Sequence, residues 1–382
     1  MKNFISYNPT RLVFGHDTEG TIGTYVADAG IQKVLLLYGS ERIKNNGLFD
    51  AVTHSLKEKN IEFVALGGVI SSPVLSKIYE GIEVAREHKV DAILGVGGGS
   101  VADSAKIIAA GVVYDGDVWD LFNPKASFST ALPVFTVMTL AATGSEMNCG
   151  AAVTNEKTSE KFLIKDPCLY PKVSIINPDL QKTVTRDYLV YSASDVIAHS
   201  IEGYFTASYY PNITASYVET NIRTVIETTE VLLNDPNDYN ARAEFAWAAT
   251  QALNGSTMPG TAGISLPNHM IEMAIAGIHH VPHGAGLSIV MPSWMRWYCS
   301  QNRTQFERFA AKIFGKVSAE EGISALENWF NQIGTPTRLS QVNIKASDID
   351  DIVEKALGNA PFFALEHIYT KDIIKEILTK AL

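Results

Sequence analysis

The first half of the chain alternates short apolar runs with longer amphipathic stretches, and this alternation limits the possible folds more than any other feature. Apolar runs typical of buried parallel strands occupy residues 33–39, 61–68, 91–96, 132–140 and 172–178. Stretches with helical periodicity separate the first four runs. Because consecutive parallel strands need a crossover connection, usually a helix, the pattern predicts a doubly wound, mainly parallel α/β sheet.

From about Tyr188 the pattern changes to long helical periodicities with few extended segments. The chain has 382 residues, which is more than one hydrophobic core usually organises. We therefore predict two domains, an α/β domain over residues 1–183 and an all-helical domain over residues 184–382.

Composition excludes several classes of protein. A formal net charge of −10, without a dense Lys/Arg cluster, argues against binding to nucleic acid. No stretch reaches the ~18 apolar residues of a membrane span, and the segment Met1–Gly15 lacks the apolar core of a signal peptide. Cys149, Cys168 and Cys299 are odd in number and widely spaced, so they fit neither a disulfide framework nor a zinc knuckle. We expect a soluble protein of the reducing cytoplasm.

Three glycines and a serine, Gly97, Gly98, Gly99 and Ser100, connect the third predicted strand to the helix that follows it. Glycines allow the backbone to approach a ligand closely, and the helix N-terminus offers N–H groups to a pyrophosphate. A plain tight strand–helix turn would have the same composition, and the segment is not the G-x-G-x-x-G fingerprint.

Polar residues near this turn are further candidates for ligand contact. Asp103 and Lys106 lie one turn into the helix, where they can orient a cofactor or be surface or capping charges. The segment 139–146, TLAATGSE, follows the fourth predicted strand, at the edge where open α/β sheets bind ligands. An ordinary loop rich in turn residues is the alternative for this segment.

Four residues of the second half can form a metal site. Asp195 and His199 are four apart, so a helix presents both from one face. His269 and His283 follow later in the chain, and one carboxylate with three imidazoles is a suitable ligand set for a divalent transition metal. Taken singly, each residue is more often a hydrogen-bonded polar group than a metal ligand.

Taken together, the motifs GGGSVADSAK, TLAATGSEMN, DVIAH and VPHGAGLSIVMP resemble the iron-containing (group III) alcohol dehydrogenase family. They are similar in particular to its branch of NADPH-dependent butanol dehydrogenases and aldehyde reductases, and NPTRLVFG resembles that family's N-terminal strand. The resemblance implies a Rossmann-like α/β dinucleotide-binding domain, an all-α metal-binding domain as in dehydroquinate synthase, and an active site in the cleft between them.

The resemblance also assigns residues to the two sites. It implies metal ligation by Asp195, His199, His269 and His283. The cofactor contacts that it implies are Gly97, Gly98, Gly99, Ser100, Asp103, Thr139, Leu140, Thr143, Ser145, Lys161 and Leu180.

The segment after the first predicted strand chooses between NAD and NADP. Gly39 leaves room for a 2′-phosphate, Ser40 can donate to it, and Arg42 or Lys44 can pair with it. Glu41 works in the opposite direction, because a carboxylate accepts from ribose hydroxyls and repels a phosphate. We expect NADP(H) to be favoured over NAD(H).

The chain departs from the family pattern at two positions. Met273 stands where the family often has a His for proton relay, so either the relay runs through His279, His280 or water, or this branch does not need it. Ser72 stands where members often have an Asn that contacts the ribose. With Pro73, Ser72 is also typical of an N-cap and first turn, which predicts a helix starting there.

The resemblance implies a metal-dependent alcohol dehydrogenase or aldehyde reductase that transfers hydride between NAD(P)(H) and a short-chain primary alcohol or aldehyde. The metal, Fe²⁺ or Zn²⁺, would polarise the substrate oxygen. Two alternatives remain open from the residues: an NAD- and metal-dependent lyase resembling dehydroquinate synthase, and a non-catalytic metal- and nucleotide-binding protein. Family analogy also predicts a homodimer, formed through the N-terminal strand.

Overall fold

The computed structural model describes residues 1–122 and 126–382, which form two compact units. One unit spans Tyr7–Thr183, and the other combines Met1–Ser6 with Val184–Leu382. The first six residues therefore group with the helical unit, whereas the predicted α/β domain includes them. Hydrogen bonds hold them there: Lys2 N donates to Gly260 O (3.0 Å), and the amino group of Met1 donates to the Tyr209 hydroxyl (2.6 Å).

A six-stranded parallel sheet and a separate antiparallel hairpin make up the strands of the α/β unit. The strands are β1 (Arg11–Phe14), β2 (Lys33–Tyr38), β3 (Glu62–Leu66), β4 (Ala92–Gly97), β5 (Val134–Met138), β6 (Gly150–Asn155), β7 (Glu160–Lys165) and β8 (Val173–Ile176). The sheet order is β1-β8-β5-β4-β2-β3, and all of its neighbouring pairs are parallel. This is the doubly wound sheet that the strand–helix alternation predicts.

Helices cover both faces of the sheet because side chains alternate along its buried strands. The helices are α1 (Ile22–Asp28), α2 (Arg42–Asn45), α3 (Leu48–Glu58), α4 (Leu75–Glu87) and α5 (Gly99–Val113). On β2, Leu35 and Leu37 belong to the core formed with α4 and α5, while Val34 and Leu36 belong to the core formed with α1 and α3. Burial on both faces explains the continuous apolar runs in the sequence.

The predicted N-cap at Ser72 is wrong. The helix α4 begins at Leu75, and Ser72 has a left-handed backbone conformation (φ 57°). The Glu156 carboxylate instead satisfies the free N–H groups at the N-terminus of α4. It accepts hydrogen bonds from Leu75 N (3.0 Å), Ser76 N (3.4 Å) and the Ser76 hydroxyl. Glu156 lies in the turn between β6 and β7, so a local sequence pattern could not reveal this cap.

Residues 184–382, all of which the structure describes, form helices joined by loops, with one isolated β-bridge between Tyr209 and Ala262. Its helices are α6 (Arg186–Thr206), α7 (Asn212–Asn234), α8 (Tyr239–Leu253), α9 (Pro267–His279), α10 (His283–Tyr298), α11 (Arg303–Phe314), α12 (Ala319–Ile333), α13 (Ile349–Asn359) and α14 (Lys371–Lys380). Within the described ranges, no helix combines the length and apolarity that crossing a membrane requires. All three cysteines are free thiols.

The first turn of α10 packs directly on the backbone of α6. A Cβ atom added at Gly284 would lie 1.9 Å from the carbonyl oxygen of Tyr191, which is far inside van der Waals contact. Gly286, one half-turn later, has the Glu272 side chain in the corresponding space, with Cγ 2.7 Å from an added Cβ. These two glycines let α6, α9 and α10 approach one another closely.

We expect Gly284→Ala to lower the free energy of unfolding of the helical unit by about 1–3 kcal/mol or more, because backbone must move to admit the methyl group. Gly358→Ala, in α13, is the matched control, since nothing lies within 4 Å of an added Cβ there. Urea unfolding followed by tryptophan fluorescence suits the comparison, because four of the five tryptophans are in this unit. Equal unfolding midpoints for the two variants would contradict the close packing of Gly284 on the backbone of α6.

Candidate metal centre and nucleotide site

The helical unit brings the four predicted metal ligands together. Asp195 and His199 project from one face of α6, His269 is the third residue of α9, and His283 is the first residue of α10. Three imidazole nitrogens surround Asp195 Oδ1: His199 Nδ1 at 3.5 Å, His269 Nε2 at 3.7 Å and His283 Nε2 at 3.6 Å. The facing atoms of Asp195, His199 and His269 all lie within 4.8 Å of one another.

These separations fit a shared cation better than hydrogen bonding. Asp195 Oδ1, His199 Nδ1 and His269 Nε2 are buried and have no hydrogen-bond partner among the described residues. Buried polar atoms normally have partners. Ligand bonds of ~2.1 Å at tetrahedral angles place ligand atoms ~3.4 Å apart, close to the spacing observed. The His283 side chain is 27% exposed, against 5% for Asp195, so solvent reaches the site from the His283 side.

A buried carboxylate on α6 orients His269. Glu202 Oε2 accepts a hydrogen bond from His269 Nδ1, so the neutral form of the ring has the lone pair of Nε2 on the side of Asp195. Glu202 Oε1 accepts from the backbone N–H groups of Asn268 and His269 at the start of α9. The Glu202 side chain thus caps α9 and also fixes the orientation of the His269 ring.

A second buried carboxylate performs the same task for His283. Glu272 Oε2, on α9, accepts a hydrogen bond from His283 Nδ1, which leaves Nε2 for the site. Such carboxylate partners fix the orientation of metal-binding histidines and raise their basicity. The sequence interpretation missed both carboxylates. Helical spacing was the available signal, since Glu202 follows Asp195 by seven residues and Glu272 follows His269 by three.

The charges of the site act on one another strongly. Burial opposes ionisation of Asp195, but the neighbouring imidazoles outweigh it and hold the pKa of this carboxyl well below its usual range. Burial lowers the pKa of His199 to about 3, which keeps this imidazole neutral and able to bind a cation. For His269, Glu202 and Asp195 overcome the effect of burial and raise the pKa of the ring.

The histidines expected to relay a proton lie at the far end of α9. His279 is the last residue of the helix, so a rise of 1.5 Å per residue puts it ~15 Å from His269 along the axis. His280 follows in a left-handed conformation (φ 55°) and is exposed. Met273 is buried. A relay through either histidine stays a prediction, and it would need intervening water.

In the α/β unit, the predicted cofactor residues follow neighbouring strands. Gly39 and Ser40 follow β2, the turn Gly97–Ser100 joins the last residue of β4 to the first residues of α5, and Thr139 and Leu140 follow β5. The chain runs from β2 outward to β3, and then β4 pairs with the opposite side of β2. The carboxyl ends of β2 and β4 therefore form a topological switch point, where open α/β sheets bind ligands.

The glycine turn packs against the loop that follows β5. Thr139 N donates to Gly97 O (2.9 Å). A Cβ added at Gly98 would lie 3.2 Å from Leu140 Cβ, and one added at Gly99 would lie 2.4 Å from Thr143 Oγ1. The helix α5 has no side-chain cap on its N-terminus, which leaves its first N–H groups available to a phosphate.

The remaining predicted contacts have varied surroundings. Ser145 is buried, and its hydroxyl donates to the partly buried Asp103 (2.6 Å). Lys161 lies on β7 opposite Thr154, in a hairpin that the sequence interpretation missed. Leu180, after β8, packs on the core of the sheet face that carries α1 and α3.

The charged side chains that follow β2 are bound to other groups of the protein. Glu41 accepts from the Tyr38 hydroxyl (2.9 Å) and pairs with Lys44 (2.7 Å). These two contacts lower the pKa of the Glu41 carboxyl, with the Lys44 hydrogen bond the larger. Arg42 donates to the Thr183 carbonyl. Ser40 is exposed and Gly39 is half-buried.

The α/β unit thus has a switch point of the kind that binds dinucleotides, and the helical unit has a carboxylate–histidine cluster that could hold a metal ion. The family model for iron-containing alcohol dehydrogenase matches residues 9–178, and the model for the C-terminal part of the Fe-containing alcohol dehydrogenase family matches residues 189–382. The chain belongs to the iron-containing alcohol dehydrogenase family. This assignment favours dehydrogenase activity over the lyase and the non-catalytic binding protein.

Named relatives match over nearly the whole chain. It is 37% identical to the probable NADH-dependent butanol dehydrogenase 1 of Bacillus subtilis (strain 168), covering 98% of each chain. It is 29% identical to the NADPH-dependent aldehyde reductase of Escherichia coli (strain K12), covering 93% of each. The crystal structure of NADH-dependent butanol dehydrogenase A from Thermotoga maritima matches with a TM-score of 0.97 and 45% identity, covering 100% of this chain and 99% of that one.

We expect Glu272→Gln to weaken binding of Fe²⁺ or Zn²⁺ about 10- to 100-fold, because a neutral amide accepts a weaker hydrogen bond from His283 Nδ1 and no longer raises the basicity of the ring. Competition with a chelator measures this affinity without relying on activity. Glu219→Gln is the control, since Glu219 is equally buried in the same unit but binds Tyr204 and Arg308. If both variants keep the wild-type metal affinity, Glu272 does not orient a ligand.

Proposed function

We propose that the protein reduces short-chain aldehydes to primary alcohols, and oxidises the alcohols in reverse, with NAD(P)(H) and one bound Fe²⁺ or Zn²⁺. The observation that carries this proposal is the convergence of three imidazole nitrogens on Asp195 Oδ1, each within 3.7 Å. The family assignment and the names of the relatives support the reaction type and the substrate class.

The residues of the site divide the work. A divalent cation bound there supplies Lewis acidity toward the substrate oxygen, and the nicotinamide supplies or accepts the hydride. Asp195 gives the ligand set a single negative charge, while the three imidazoles bind as neutral donors. Glu202 and Glu272 hold His269 and His283 in the tautomer that leaves Nε2 free for the cation.

In the α/β unit, the backbone performs most of the binding. The N-terminus of α5 provides N–H groups for the pyrophosphate, and the glycine turn lets the nucleotide come close to them. Thr139, Leu140 and Thr143 are next to this turn and are our candidates for contacts to the nicotinamide and its ribose. The protein therefore positions the cofactor, and the cofactor carries the hydride.

The activity is tested by the loss of NAD(P)H absorbance with a panel of short aldehydes. We expect turnover that a chelator abolishes and that added Fe²⁺ or Zn²⁺ restores. His269→Ala should lose both metal and activity, whereas His367→Ala, at an exposed position, should keep both. The proposal fails if the metal-loaded protein turns over no short aldehyde or alcohol with either cofactor.

We also propose a preference for NADPH over NADH. Supporting it are the exposed Ser40 hydroxyl, the half-buried Gly39, and the cations of Arg42 and Lys44. The Glu41 carboxylate opposes it, but Lys44 compensates its charge. One of these relatives is named as NADH-dependent and the other as NADPH-dependent, so the names do not decide between the two cofactors.

Comparing kcat/KM for the two cofactors tests this preference. We expect Lys44→Ala to reduce kcat/KM for NADPH about 10-fold, the size of one ion pair with a phosphate, and to leave the value for NADH nearly unchanged. Glu41→Gln should have the opposite effect on NADPH. A wild-type enzyme that is faster with NADH, and whose preference neither variant moves, would refute the proposal.

A further inference from the structure

A buried lysine that none of the proposed steps uses lies in the second turn of α5. Lys106 is fully buried, and its ammonium group directs all three hydrogens to acceptors. It donates to Ser145 Oγ (2.9 Å), Asn148 Oδ1 (3.1 Å) and Gly150 O (2.8 Å). All three acceptors belong to the segment 145–150, which runs from the end of the 139–146 loop into β6.

Asp103, one turn earlier on α5, binds Ser145 of the same segment and Ala152 just beyond it. Its Oδ1 accepts from the Ser145 hydroxyl (2.6 Å), and its Oδ2 accepts from Ala152 N (3.0 Å). The Ser145 hydroxyl therefore donates to Asp103 while it accepts from Lys106. We call Asp103, Lys106 and Ser145 the α5 clamp.

Further hydrogen bonds connect the α5 clamp to the glycine turn. Asn148 Nδ2 donates to Gly144 O (2.9 Å) and Thr143 O (3.4 Å), and Ser145 N donates to Thr143 Oγ1 (3.2 Å). Thr143 in turn occupies the space beside Gly99. Movement of the clamped segment would therefore move Thr143 relative to the turn that is proposed to bind the pyrophosphate.

The buried charges of the α5 clamp are not expected to stabilise the folded state. Burial lowers the pKa of Lys106 to about 8, against the opposing effects of Asp103, Glu146 and Cys149. Burial also raises the pKa of Asp103, although Lys106 and Ser145 counteract it. Removing a charged lysine from water is costly, and hydrogen bonds to neutral acceptors need not offset that cost. Geometry is the better explanation for placing a charged lysine here.

We propose that Lys106 is a positioning residue for nucleotide binding, which acts by fixing the segment 143–150 against α5 through Ser145, Asn148 and Gly150. The proposal rests on the proposed function, because it assumes that the glycine turn and Thr143 hold the nucleotide. It adds a residue that touches no cofactor atom itself and is too buried to do so.

Lys106→Met tests the proposal, since it keeps the length of the side chain and removes the three donors. We expect Kd for the nucleotide, measured by fluorescence titration of the metal-loaded enzyme, to rise about 10-fold or more, as for loss of one hydrogen bond to a charged group. The kcat at saturating cofactor should stay within about threefold, because positioning acts on binding. Amide hydrogen exchange of residues 143–150 should accelerate without nucleotide present.

Ser55→Ala is the matched control. Ser55 is a buried hydroxyl of the same unit that donates to Gly20 O (2.6 Å) and accepts from Gly23 N (2.9 Å), so its loss should lower Tm without changing Kd. Asn148→Ala, which removes one acceptor of Lys106 and lies outside the predicted cofactor contacts, provides a milder version should Lys106→Met fold poorly. The ratio of Kd values between Lys106→Met and wild type should fall as the pH rises through about 8, where wild-type Lys106 loses a proton.

Different outcomes would overturn the positioning role of Lys106 and the proposed function. Unchanged Kd in Lys106→Met, or a rise in Kd that merely follows Tm in both Lys106→Met and Ser55→Ala, would overturn the positioning role. A wild-type protein that binds neither NADPH nor NADH would instead overturn the nucleotide site itself, while hydrogen exchange would still show whether the clamp orders residues 143–150.

Discussion

The close approach of α6, α9 and α10 is the constraint on which the candidate metal site depends. Three imidazole nitrogens can surround one oxygen of Asp195 only if these helices come nearer than side chains usually allow. Gly284 permits this approach, because even a methyl group at that position would overlap the backbone of Tyr191. Gly286 leaves space for Glu272, which orients His283. The HGAG sequence is thus a packing requirement as well as a ligand motif.

The parts of the structure that local sequence patterns encode were predictable. The strands β2, β4 and β5 are continuous apolar runs because both faces of the sheet are covered, and the change of periodicity near Tyr188 marks the start of the helical unit. The glycine turn was also recognisable, since it directly follows a buried strand. Asp195 and His199 share a helix face at ordinary i,i+4 spacing.

The features that were missed depend on contacts between distant residues. Ser72 has the composition of a cap, but Glu156, more than 80 residues later, satisfies the N-terminus of α4. Lys106 was open to interpretation as a surface charge, yet it is fully buried. Its acceptors are about 40 residues away in the sequence, so no local pattern could reveal them. Glu202 gave a helical-spacing signal, but only the fold shows that it binds both the ring and the backbone of His269.

This double contact of Glu202 couples two processes that are usually separate. The same carboxylate that aligns the ring of His269 also satisfies the first N–H groups of α9, so the helix start and the ring orientation form together. Part of the free energy of binding a metal at this site would then stabilise α9. Removing a metal bound there would therefore lower the stability of α9, and with it the resistance of the folded chain to proteolysis.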